Sequence, residues 1–565
     1  MLFKWVLRDR PNTDQTVLLQ DALNIPGIIS EILVSRDITT PEQAKKFFRP
    51  DWSHLHDPFL MKDMDLAVER ILSAIKKQEK ILIYGDYDVD GITSVSTLYL
   101  FLKQIGTEPL FYIPDRLQEG YGLSKNGIKK AHEAGATLLI TVDCGITAVE
   151  EVAFAKTLGI DVIVSDHHEP AETTPDASAV LDPKRKDSTY PFNELAGVGV
   201  VFKLIQAISE TLGSEHESYR QFIDLVALGS AADIVPLVDE NRVFVNKGLE
   251  KINNDCRLGI KAMFEAAGWK GQNVSTGKLV FIIAPRINAV GRLGNAERAV
   301  RLLISESEQR TLNIARILES ENRNRKIIDE ETYKDALDLL SLEFDINTDK
   351  AIVLAKEGWH SGVIGIVASR VAEHSHRPTV MISVENGIGK GSARSIASFD
   401  VYSAIKKCSD KLIGFGGHRY AAGLTIELDK IEEFKEAFKN VAKELLTEED
   451  LVKKIVYDGE LELSDIDDRF VKILRYFAPY GPKNMRPVFR TSRLNVVGSP
   501  RIVGRNHLKF RVAQNNKIFD AIGFDMGELI YRVSPGENNL DMLYVIEENF
   551  WNGRTKVQLR VKDLQ

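Results

Sequence analysis

The chain has 565 residues, of which 44% are hydrophobic and 27% are charged, a composition that excludes a disordered scaffold and is typical of a globular protein with three or four domains. Its three cysteines form no CxxC pair, and no stretch approaches the roughly 18 apolar residues of a membrane span, so we expect a cytoplasmic protein without disulfides, a thiolate zinc site or a membrane partner. The formal net charge of −8 by itself disfavours a nucleic-acid partner, because phosphate binding needs a positive surface.

Between residues 80 and 235, short β-rich segments alternate with helical stretches. The β-rich segments are 81–84, 110–113, 138–142, 162–164 and 179–181, and the helical ones include 93–102, 127–134 and 148–157. This alternation predicts βαβ units around a parallel sheet. Ligands bind at the carboxyl ends of the strands in such sheets, so residues that follow these segments are expected to converge.

Acidic residues and histidines follow three of these segments, and a further aspartate ends the apolar stretch near residue 232. The set comprises Asp86, Asp88, Asp90, Asp143, Asp166, His167, His168 and Asp233. So much negative charge at the ends of apolar segments is normally neutralised by a divalent cation. Mixed carboxylate and imidazole ligation suits Mn²⁺ or, less well, Mg²⁺.

The spacing of the first three aspartates leaves two local arrangements open. An extended segment would point all three carboxylates one way, whereas a tight loop would use Asp86 for backbone hydrogen bonds and leave Asp88 and Asp90 for metal. We favour the loop. Asp143 and Asp233, taken singly, also fit helix N-caps, but beside the two clusters they favour a metal centre.

Such a centre predicts a class of reaction. Several carboxylates with one or two histidines can hold a pair of cations, of which one activates a water and the other stabilises charge on the phosphoryl oxygens. A neighbouring histidine can contact the phosphate itself. The pattern therefore predicts hydrolysis of a phosphodiester or a phosphoanhydride.

Further along the chain, residues 295–357 contain no Gly or Pro and carry apolar residues at helical spacing. They predict a long connecting helix that ends near Leu342. The β-rich segments 351–354 and 379–383, a helix over 361–371 and the glycine-rich segment 413–418 then predict a second, smaller α/β domain that ends near Thr447.

The C-terminal part has a different character. From about Lys453 the sequence alternates as in strands, with a segment at 507–512 and a predicted hairpin turn at 551–554. From Arg469 to Lys517, Lys and Arg recur without a single Asp or Glu. Short strands with one basic face predict an OB-like β-barrel that binds single-stranded nucleic acid.

The predicted fold class is α/β, and five parts are expected. An N-terminal segment (1–70) packs on a parallel-sheet domain (71–300). A connecting helix (301–345) leads to the smaller α/β domain (346–450), and an OB-like β-barrel (451–565) completes the chain.

The order and spacing of the motifs resemble those of the DHH phosphoesterase superfamily. The resemblance lies in 86–91 (DYDVDG), 142–145 (VDCG), 166–168 (DHH) and 231–233 (AAD), and 286–292 (RINAVGR) with 416–423 (GGHRYAAG) extend it into the companion DHHA1 domain. The arginine motif and the basic barrel single out the RecJ family of single-strand-specific exonucleases within it. The resemblance covers nearly the whole chain.

This resemblance implies processive 5′-to-3′ degradation of single-stranded DNA in DNA repair and recombination, with two Mn²⁺ or Mg²⁺ ions. It implies single-stranded DNA as the partner, along with a single-strand-binding protein and a helicase. The implied metal ligands are Asp86, Asp88, Asp90, Asp143, His167 and Asp233, with Asp86 assisting. The implied catalytic residues are Asp143, His168, which would face the scissile phosphate, and Asp166, which would orient a histidine or the loop.

The resemblance also implies a set of substrate-binding residues. They are Arg116, Arg286, Asn288, Arg292, Ser392, Arg394, Gly417 and His418. Guanidinium groups and a hydroxyl suit a terminal 5′ phosphate, which carries more charge than an internal one. The glycine-rich segment 416–423 is expected to form a loop whose backbone approaches phosphates.

Other functions stay open at this point. A DHH/DHHA1 phosphodiesterase, either an oligoribonuclease or an enzyme acting on cyclic dinucleotides, would share the motifs but not the basic β-domain. A pyrophosphatase of the superfamily would have no use for a nucleic-acid barrel. A non-catalytic replication-fork scaffold is disfavoured because every ligand position is filled.

Overall fold

The structure is a computed structural model that describes residues 3–9, 12–116, 119–120, 122–213, 218–271, 273–345, 348–534, 539–551 and 554–565. Three sheets of five or seven strands lie in successive parts of the chain, and a long helix joins the first part to the second. Within the ranges just given, no helix combines the length and the apolar character needed to cross a bilayer.

The first domain is built on a parallel sheet, as predicted. The N-terminal elements are β1 (Lys4–Leu7), α1 (Thr13–Leu23), α2 (Gly27–Val34), α3 (Pro41–Phe48) and α4 (Met64–Lys76). They are followed by β2 (Ile81–Gly85), α5 (Val89–Gln104), β3 (Leu110–Tyr112), α6 (Lys125–Glu133), β4 (Leu138–Val142), α7 (Val149–Thr157), β5 (Asp161–Ser165) and β6 (Ala179–Leu181). The strand order is β3-β2-β4-β5-β6, and all neighbouring strands run parallel.

Apolar cores lie on both faces of this sheet, because its strands are covered by helices on each side. Ile81 and Ile83 of β2 face one core, and Leu82 and Tyr84 face the other. The helices that follow the sheet are α8 (Gly197–Thr211), α9 (Ile223–Ala232), α10 (Asp239–Asn254), α11 (Leu258–Ala266), α12 (Thr276–Lys278), a π-helical turn (Leu279–Ile283), α13 (Ala284–Leu293) and α14 (Glu297–Leu303). This packing fixes the carboxyl edge of the sheet, where the site lies.

The predicted connecting helix is α15 (Glu308–Glu343), which is capped by the hydroxyl of Ser307. Its first half places Ala315 in the core of the first domain, and its second half places Ala336 in a core of the next one. From Asn322 to Thr332 the buried side chains of the helix are polar, among them Arg325. The helix therefore belongs to both domains.

The second domain has a mixed sheet in the order β10-β11-β9-β8-β7. Its elements are β7 (Ile352–Glu357), α16 (Ile364–Ser375), β8 (Thr379–Glu385), β9 (Ile388–Arg394), α17 (Val401–Lys406), β10 (Gly414–His418), β11 (Ala421–Glu427) and α18 (Ile431–Leu445). Only β7 and β8 run parallel, and the other pairs are antiparallel. The predicted smaller α/β fold is confirmed.

The third sheet closes into a barrel. Its region contains β12 (Lys454–Tyr457), β13 (Gly459–Glu460), α19 (Asp468–Arg475), β14 (Phe489–Val496), β15 (Arg501–Val503), β16 (His507–Gln514), β17 (Lys517–Gly523), β18 (Leu540–Trp551) and β19 (Arg554–Leu564). The order β14-β18-β19-β17-β16 closes because β16 also pairs with β14. Five strands in a closed barrel are typical of an OB-fold. Strands β18 and β19 pair as the predicted hairpin requires, but residues 552–553 of its turn lie outside the described residues.

Most of the N-terminal segment packs elsewhere than expected. Strand β1 pairs in parallel with β12, and α1 to α3 contribute Leu19, Ile29 and Phe47 to the core of the barrel region. Only the later part, including Met64 of α4, joins the core of the first domain. An isolated strand needs an edge to pair with, and β12 provides that edge.

Arg242 of α10 holds the barrel region against the first domain. Its guanidinium donates hydrogen bonds to the backbone carbonyls of Phe47, Tyr476, Phe477, Ala478 and Pro479. The side chain is buried and uses its whole donor set on the backbone. The barrel is thus held in a fixed place relative to the parallel sheet.

Candidate active site

The ends of parallel strands bring the predicted metal ligands together. Asp86 follows β2, Asp143 follows β4, and His167 comes shortly after β5. The register aligns Gly85 with Val142 and Val142 with Ser165, so the residues that follow emerge side by side. Asp233, at the end of α9, joins them from outside the sheet.

His167 lies at the centre of this cluster. Its Nε2 atom is 3.2 Å from Oδ1 of Asp143 and 3.7 Å from Oδ2 of both Asp90 and Asp233. The ring is hydrogen-bonded to the backbone of Leu195, which leaves Nε2 buried and without a hydrogen-bond partner among the described residues. Burial lowers the pKa of His167 to about 3, so a neutral ring directs a lone pair into a group of carboxylates. A cation fits between them.

Asp90 is held by the start of α8. Its carboxylate oxygens accept hydrogen bonds from the backbone N–H groups of Gly197 at 2.6 Å and Val198 at 2.9 Å. A helix N-terminus stabilises a negative charge in this position. Burial, and after it the charge of Asp88, nevertheless raises the pKa of Asp90 to about 7.

The other two aspartates of the first cluster differ in their hydrogen bonds. Asp88 caps α5, since its Oδ1 accepts from the N–H groups of Asp90 at 2.8 Å and Gly91 at 3.1 Å. Asp86 accepts one hydrogen bond from the backbone of Tyr87, and its buried Oδ1 has no hydrogen-bond partner in the described part of the chain. The predicted hydrogen bonding differs from the structure in one respect: Asp88, which directly precedes the helix, accepts more backbone hydrogen bonds than Asp86 does. The cap also starts α5 at Val89, earlier than predicted.

Asp143 adopts a left-handed backbone conformation, with φ of +60°. Aspartate tolerates this conformation better than most residues, and such outliers cluster at functional sites. The start of α8 passes so close that a side chain on Gly197 would lie 2.8 Å from Cβ of Asp143. Glycine at this position leaves room for the carboxylate.

The charge of the cluster calls for a cation. Burial first, and neighbouring carboxylates second, raise the pKa of Asp86, Asp143 and Asp233 well above the usual range. Three overlapping trios offer ligand atoms within 4.8 Å of one another, namely Asp143 with His167 and His168, Asp90 with His167 and Asp233, and Asp86 with Asp88 and Asp143. Oxygen and imidazole ligands in this arrangement fit Mn²⁺ or Mg²⁺.

Asp166 orients His168 and the loop around it. Its Oδ1 lies 2.7 Å from Nδ1 of His168, and Oδ2 accepts from the N–H of Ile146 at 2.9 Å. Burial disfavours a charged His168, but the hydrogen bond to Asp166 and the nearby carboxylates outweigh it and raise its pKa to about 9. The protonated ring then has a second N–H group, at Nε2, that suits a phosphate oxygen.

A cavity of about 250 Å³ adjoins the cluster. It is lined by Asp86, Tyr87, Asp88, Arg116, Asn288 and Arg292. The guanidinium of Arg116 stacks over the ring of Tyr87 at 5.1 Å. One wall of the cavity thus belongs to the metal cluster, and the other carries two guanidinium groups.

Arg292 links this cavity to the second domain. Its Nη1 donates to the carbonyl of Gly362 at 3.0 Å. Burial first, and then the positive charges of Arg116, Arg325 and Arg394, lower the pKa of Arg292 to about 10. Several guanidinium groups therefore crowd one place, where an anion would provide the missing counter-charge.

Ser392 and Arg394 of β9 lie on one face of the second sheet, and Nη1 of Arg394 donates to Oγ of Ser392 at 3.1 Å. The register places two rows across β9, β11 and β10, Ser392–Gly423–Gly416 and Arg394–Ala421–His418. Cross-strand neighbours point to the same side, so His418 shares this face whereas Gly417 belongs to the opposite one. A side chain on Gly416 would meet nothing within 4 Å, so the face is open.

Two predictions about substrate-binding segments differ from the structure. The glycine-rich segment forms the β10–β11 hairpin rather than a loop, because Gly417 allows the close approach of Ala421 and Ala422. Arg286 is absent from the cavity lining. Its Nε lies 2.6 Å from Oε2 of Glu319 on α15, and the side chain is buried. A buried guanidinium with this partner joins two helices and is not available to a substrate.

The basic stretch of the barrel is partly neutralised by acids that come later in the chain. Arg475 pairs with Glu548, Arg486 with Glu547, and Arg490 with Asp541. The cations on β15 to β17 and their turns form no ion pair with another described residue, and they are Arg501, Arg505, Lys509, Arg511 and Lys517. Fewer basic side chains of the barrel are therefore available to a nucleic acid than the sequence indicated.

The sequence analysis missed three residues at or beside the candidate active site. Tyr87 stands between two predicted ligands, and no pattern marked its ring as a partner of Arg116. Gly197 begins the helix that holds Asp90, and the glycines at its start could have indicated that its backbone approaches other groups closely. Asp182 follows β6 as Asp166 follows β5. It is buried, which raises its pKa to about 8, and the strand pattern could have revealed it.

Comparison with known proteins agrees with this architecture. Family models match residues 80–230 (DHH family, N-terminal domain), 348–444 (DHHA1 domain) and 457–563 (RecJ OB domain). The chain is 38% identical over 564 residues to the single-stranded-DNA-specific exonuclease RecJ of Bacillus subtilis (strain 168), covering 99% of this chain and 70% of the relative. It is 31% identical over 577 residues to the RecJ of Escherichia coli (strain K12), covering 98% of each chain.

Solved structures show the same likeness. The crystal structure of RecJ from Thermus thermophilus in complex with Mn²⁺ matches with a TM-score of 0.85 and 28% identity, over 100% of this chain and 79% of that one. Its complex with Mg²⁺ matches with a TM-score of 0.78 and 26% identity, over 100% and 78%. Sequence, domain order and fold agree, and the chain belongs to the RecJ family of single-stranded-DNA-specific exonucleases.

Proposed function

We propose that this chain is a metal-dependent exonuclease that removes nucleotides from the 5′ end of single-stranded DNA. One observation carries the proposal, namely that the carboxylate–imidazole cluster and the arginine-lined cavity share Asp86 and Asp88 as a common wall. A phosphate held by the guanidinium groups would place the next phosphodiester beside the cluster. Family membership supports single-stranded DNA as the substrate.

Six side chains would hold two divalent cations, either Mn²⁺ or Mg²⁺. They are Asp86, Asp88, Asp90, Asp143, His167 and Asp233. Such ions, when bound, make a water nucleophilic near neutral pH and stabilise negative charge on the phosphoryl oxygens. The hydrogen bond of His167 to Leu195 keeps Nε2 unprotonated and directed at the cluster, and the start of α8 holds Asp90.

His168 would donate a hydrogen bond from Nε2 to a non-bridging oxygen of the scissile phosphate. Asp166 accepts from Nδ1 of the same ring and so fixes its orientation and keeps it protonated. Asp143, buried at the meeting point of two of the ligand trios, would belong to both metal sites. These residues work as a unit, so the loss of any one should affect the chemical step.

Polarity would follow from the arginine-lined cavity. Arg116 and Arg292, with Ser392 and Arg394 from the second domain, present donors for a phosphate that carries about two negative charges at pH 7. Asn288 lines the same cavity. An internal phosphodiester carries one negative charge, so it gains less from these guanidinium groups than a terminal phosphate does.

On its 3′ side the strand would continue from the cluster toward the barrel, where the cations on β15 to β17 suit a nucleic-acid backbone. The open face with His418 would adjoin the 5′ end, because His418 lies in the same cross-strand row as Arg394. We propose domain limits of 71–300 for the parallel-sheet domain, 301–345 for the connecting helix, 346–450 for the smaller α/β domain and 451–565 for the barrel. The proposal includes a cytoplasmic role in DNA repair and recombination, beside a single-strand-binding protein and a helicase.

The test uses a single strand with a 5′ phosphate, a label at its 3′ end, and Mn²⁺. Progressive shortening of the labelled strand with release of mononucleotides, and no activity with EDTA, is expected. Cyclic dinucleotides and short RNA serve as the competing substrates. Cleavage of these without cleavage of any single-stranded DNA would replace the proposal by the phosphodiesterase alternative.

A further inference from the structure

Ile234 combines two properties that seldom occur together. It follows Asp233 at the end of α9 with φ of +63°, and it is 70% exposed. The left-handed position after a helix is normally filled by glycine or asparagine. A β-branched residue in this conformation is a genuine outlier.

Neither property benefits the fold. An apolar side chain that stays in water gains little from the hydrophobic effect, and a residue that tolerates a positive φ would relieve the strain. Strained residues are retained mainly at functional sites, where the surroundings hold a group in its working position. Ile234 is therefore a candidate for contact with a ligand.

The loop that begins at Ile234 runs from the metal cluster to the barrel region. At its start, Oδ2 of Asp233 lies 3.7 Å from Nε2 of His167. At its end, the N–H of Leu237 donates to the carbonyl of Pro482 at 2.9 Å. The exposed side chain thus lies between the cluster and the barrel, whereas the arginine-lined cavity adjoins the second domain.

We propose that Ile234 packs against a nucleobase of the single strand, on the 3′ side of the scissile phosphate. This inference rests on the proposed function, which puts the 5′ end in the arginine-lined cavity. Every base has a flat face that an apolar side chain can cover, so the contact needs no particular sequence. Because the backbone of Ile234 is constrained directly beside Asp233, the contact adds to the binding of the strand next to the metal ligands.

The first experiment compares Ile234→Asn and Ile234→Val with wild type. Asparagine accepts a positive φ, so Ile234→Asn should unfold about 2 °C higher in the absence of metal. It should raise KM for a 5′-phosphorylated single strand about tenfold and change kcat less than about twofold, since the loss of a base contact weakens binding. Ile234→Val keeps an apolar β-branched side chain and should behave as wild type.

A matched control is Ile327→Asn, because Ile327 lies on α15 and is 57% exposed. It makes the same chemical change outside the site and should leave KM unchanged. A rise of KM in this control as large as that of Ile234→Asn would overturn the inference. A lower unfolding temperature and an unchanged KM in Ile234→Asn would also overturn it and leave Ile234 a structural residue.

The second experiment removes the base instead of the side chain. For wild type, an oligonucleotide that is abasic at its second nucleotide should have a KM raised by about the same factor as Ile234→Asn produces with the intact strand. For Ile234→Asn, the abasic strand should raise KM little further. If the rises in KM caused by the variant and by the missing base multiply, the side chain and the base act independently, which would contradict the contact. If wild type cleaves no single strand, the proposed function fails; if it cleaves normally and these differences are absent, only the role of Ile234 fails.

Discussion

Nε2 of His167 lies 3.2 Å from Oδ1 of Asp143, although the two residues follow different strands. The contact exists because β4 and β5 are parallel and in register, so that both side chains reach the same edge. It joins a neutral imidazole to a buried carboxyl group whose ionisation is disfavoured first by burial and then by the charge of Asp90. Such a pair is costly for the apoprotein and suited to a cation.

Asp143→Asn should separate stability from activity. The amide keeps the size of the carboxylate but carries no charge, so the metal-free variant should be about 1–3 kcal/mol more stable than wild type at pH 8. Loss of a shared ligand should reduce kcat by about a thousandfold or more. Thermal unfolding and the rate of DNA shortening with Mn²⁺ measure the two effects. A less stable but active variant would contradict this account of Asp143.

The stability of the metal-free protein should fall as the pH rises. Burial, with Asp88 second, gives Asp90 a folded-state pKa of about 7, above the value near 4 of an unfolded chain. The folded state therefore binds more protons, and the stability that this proton supplies is present at pH 4 and lost as the pH passes 7. Unfolding curves in EDTA from pH 5 to 8 test this. Mn²⁺ should remove the decline, and an identical decline in Asp90→Asn would show that Asp90 is not its cause.

Arg394→Gln should weaken the preference for a 5′ phosphate. A charge-assisted hydrogen bond contributes about 1.5–3 kcal/mol, so the ratio of kcat/KM for 5′-phosphorylated over 5′-hydroxyl strands should fall about 10- to 100-fold. Arg316→Gln, on the exposed side of α15, is the matched control and should keep the ratio of wild type. Equal losses on both substrates in Arg394→Gln would assign the residue to stability rather than to end recognition.

Lys509→Ala and Arg511→Ala should each lower the salt dependence of DNA binding. A cation that neutralises one phosphate contributes about 0.7 to the slope of log affinity against log salt for a single strand. Binding titrations at several salt concentrations measure that slope. Arg475→Ala removes a charge that is already paired with Glu548 and should change it less. Equal effects from all three variants would place the DNA elsewhere on the barrel.

Much of this fold was predictable because it depends on local patterns. The segments 81–84, 138–142 and 162–164 are apolar over the length of a buried strand, and Asp86, Asp143 and His167 follow them, so the sheet and its carboxyl edge emerge from periodicity. The absence of Gly and Pro around Asn322 likewise predicts α15.

What the sequence did not reveal depends on distant contacts. The bonds from Gly197 and Val198 to Asp90 join positions far apart in the chain, so neither segment alone identifies the other as its partner. The pairing of β1 with β12 likewise joins distant parts of the chain. The glycine-rich segment looked like a loop because glycine is depleted in strands, yet Gly417 is what allows the hairpin to close. Arg286 belonged to a family motif, and only the position of Glu319 shows that its charge is already used.

The most direct test of the central claim follows one strand from both ends. A single-stranded oligonucleotide with a 5′ phosphate, labelled once at the 5′ end and in a second sample at the 3′ end, is incubated with the protein and Mn²⁺. We expect the 5′ label to appear at once as a mononucleotide while the 3′ label shortens stepwise, with both reactions stopped by EDTA or by Asp143→Asn. Early release of the 3′ label, or shortening that persists in EDTA, would contradict the account.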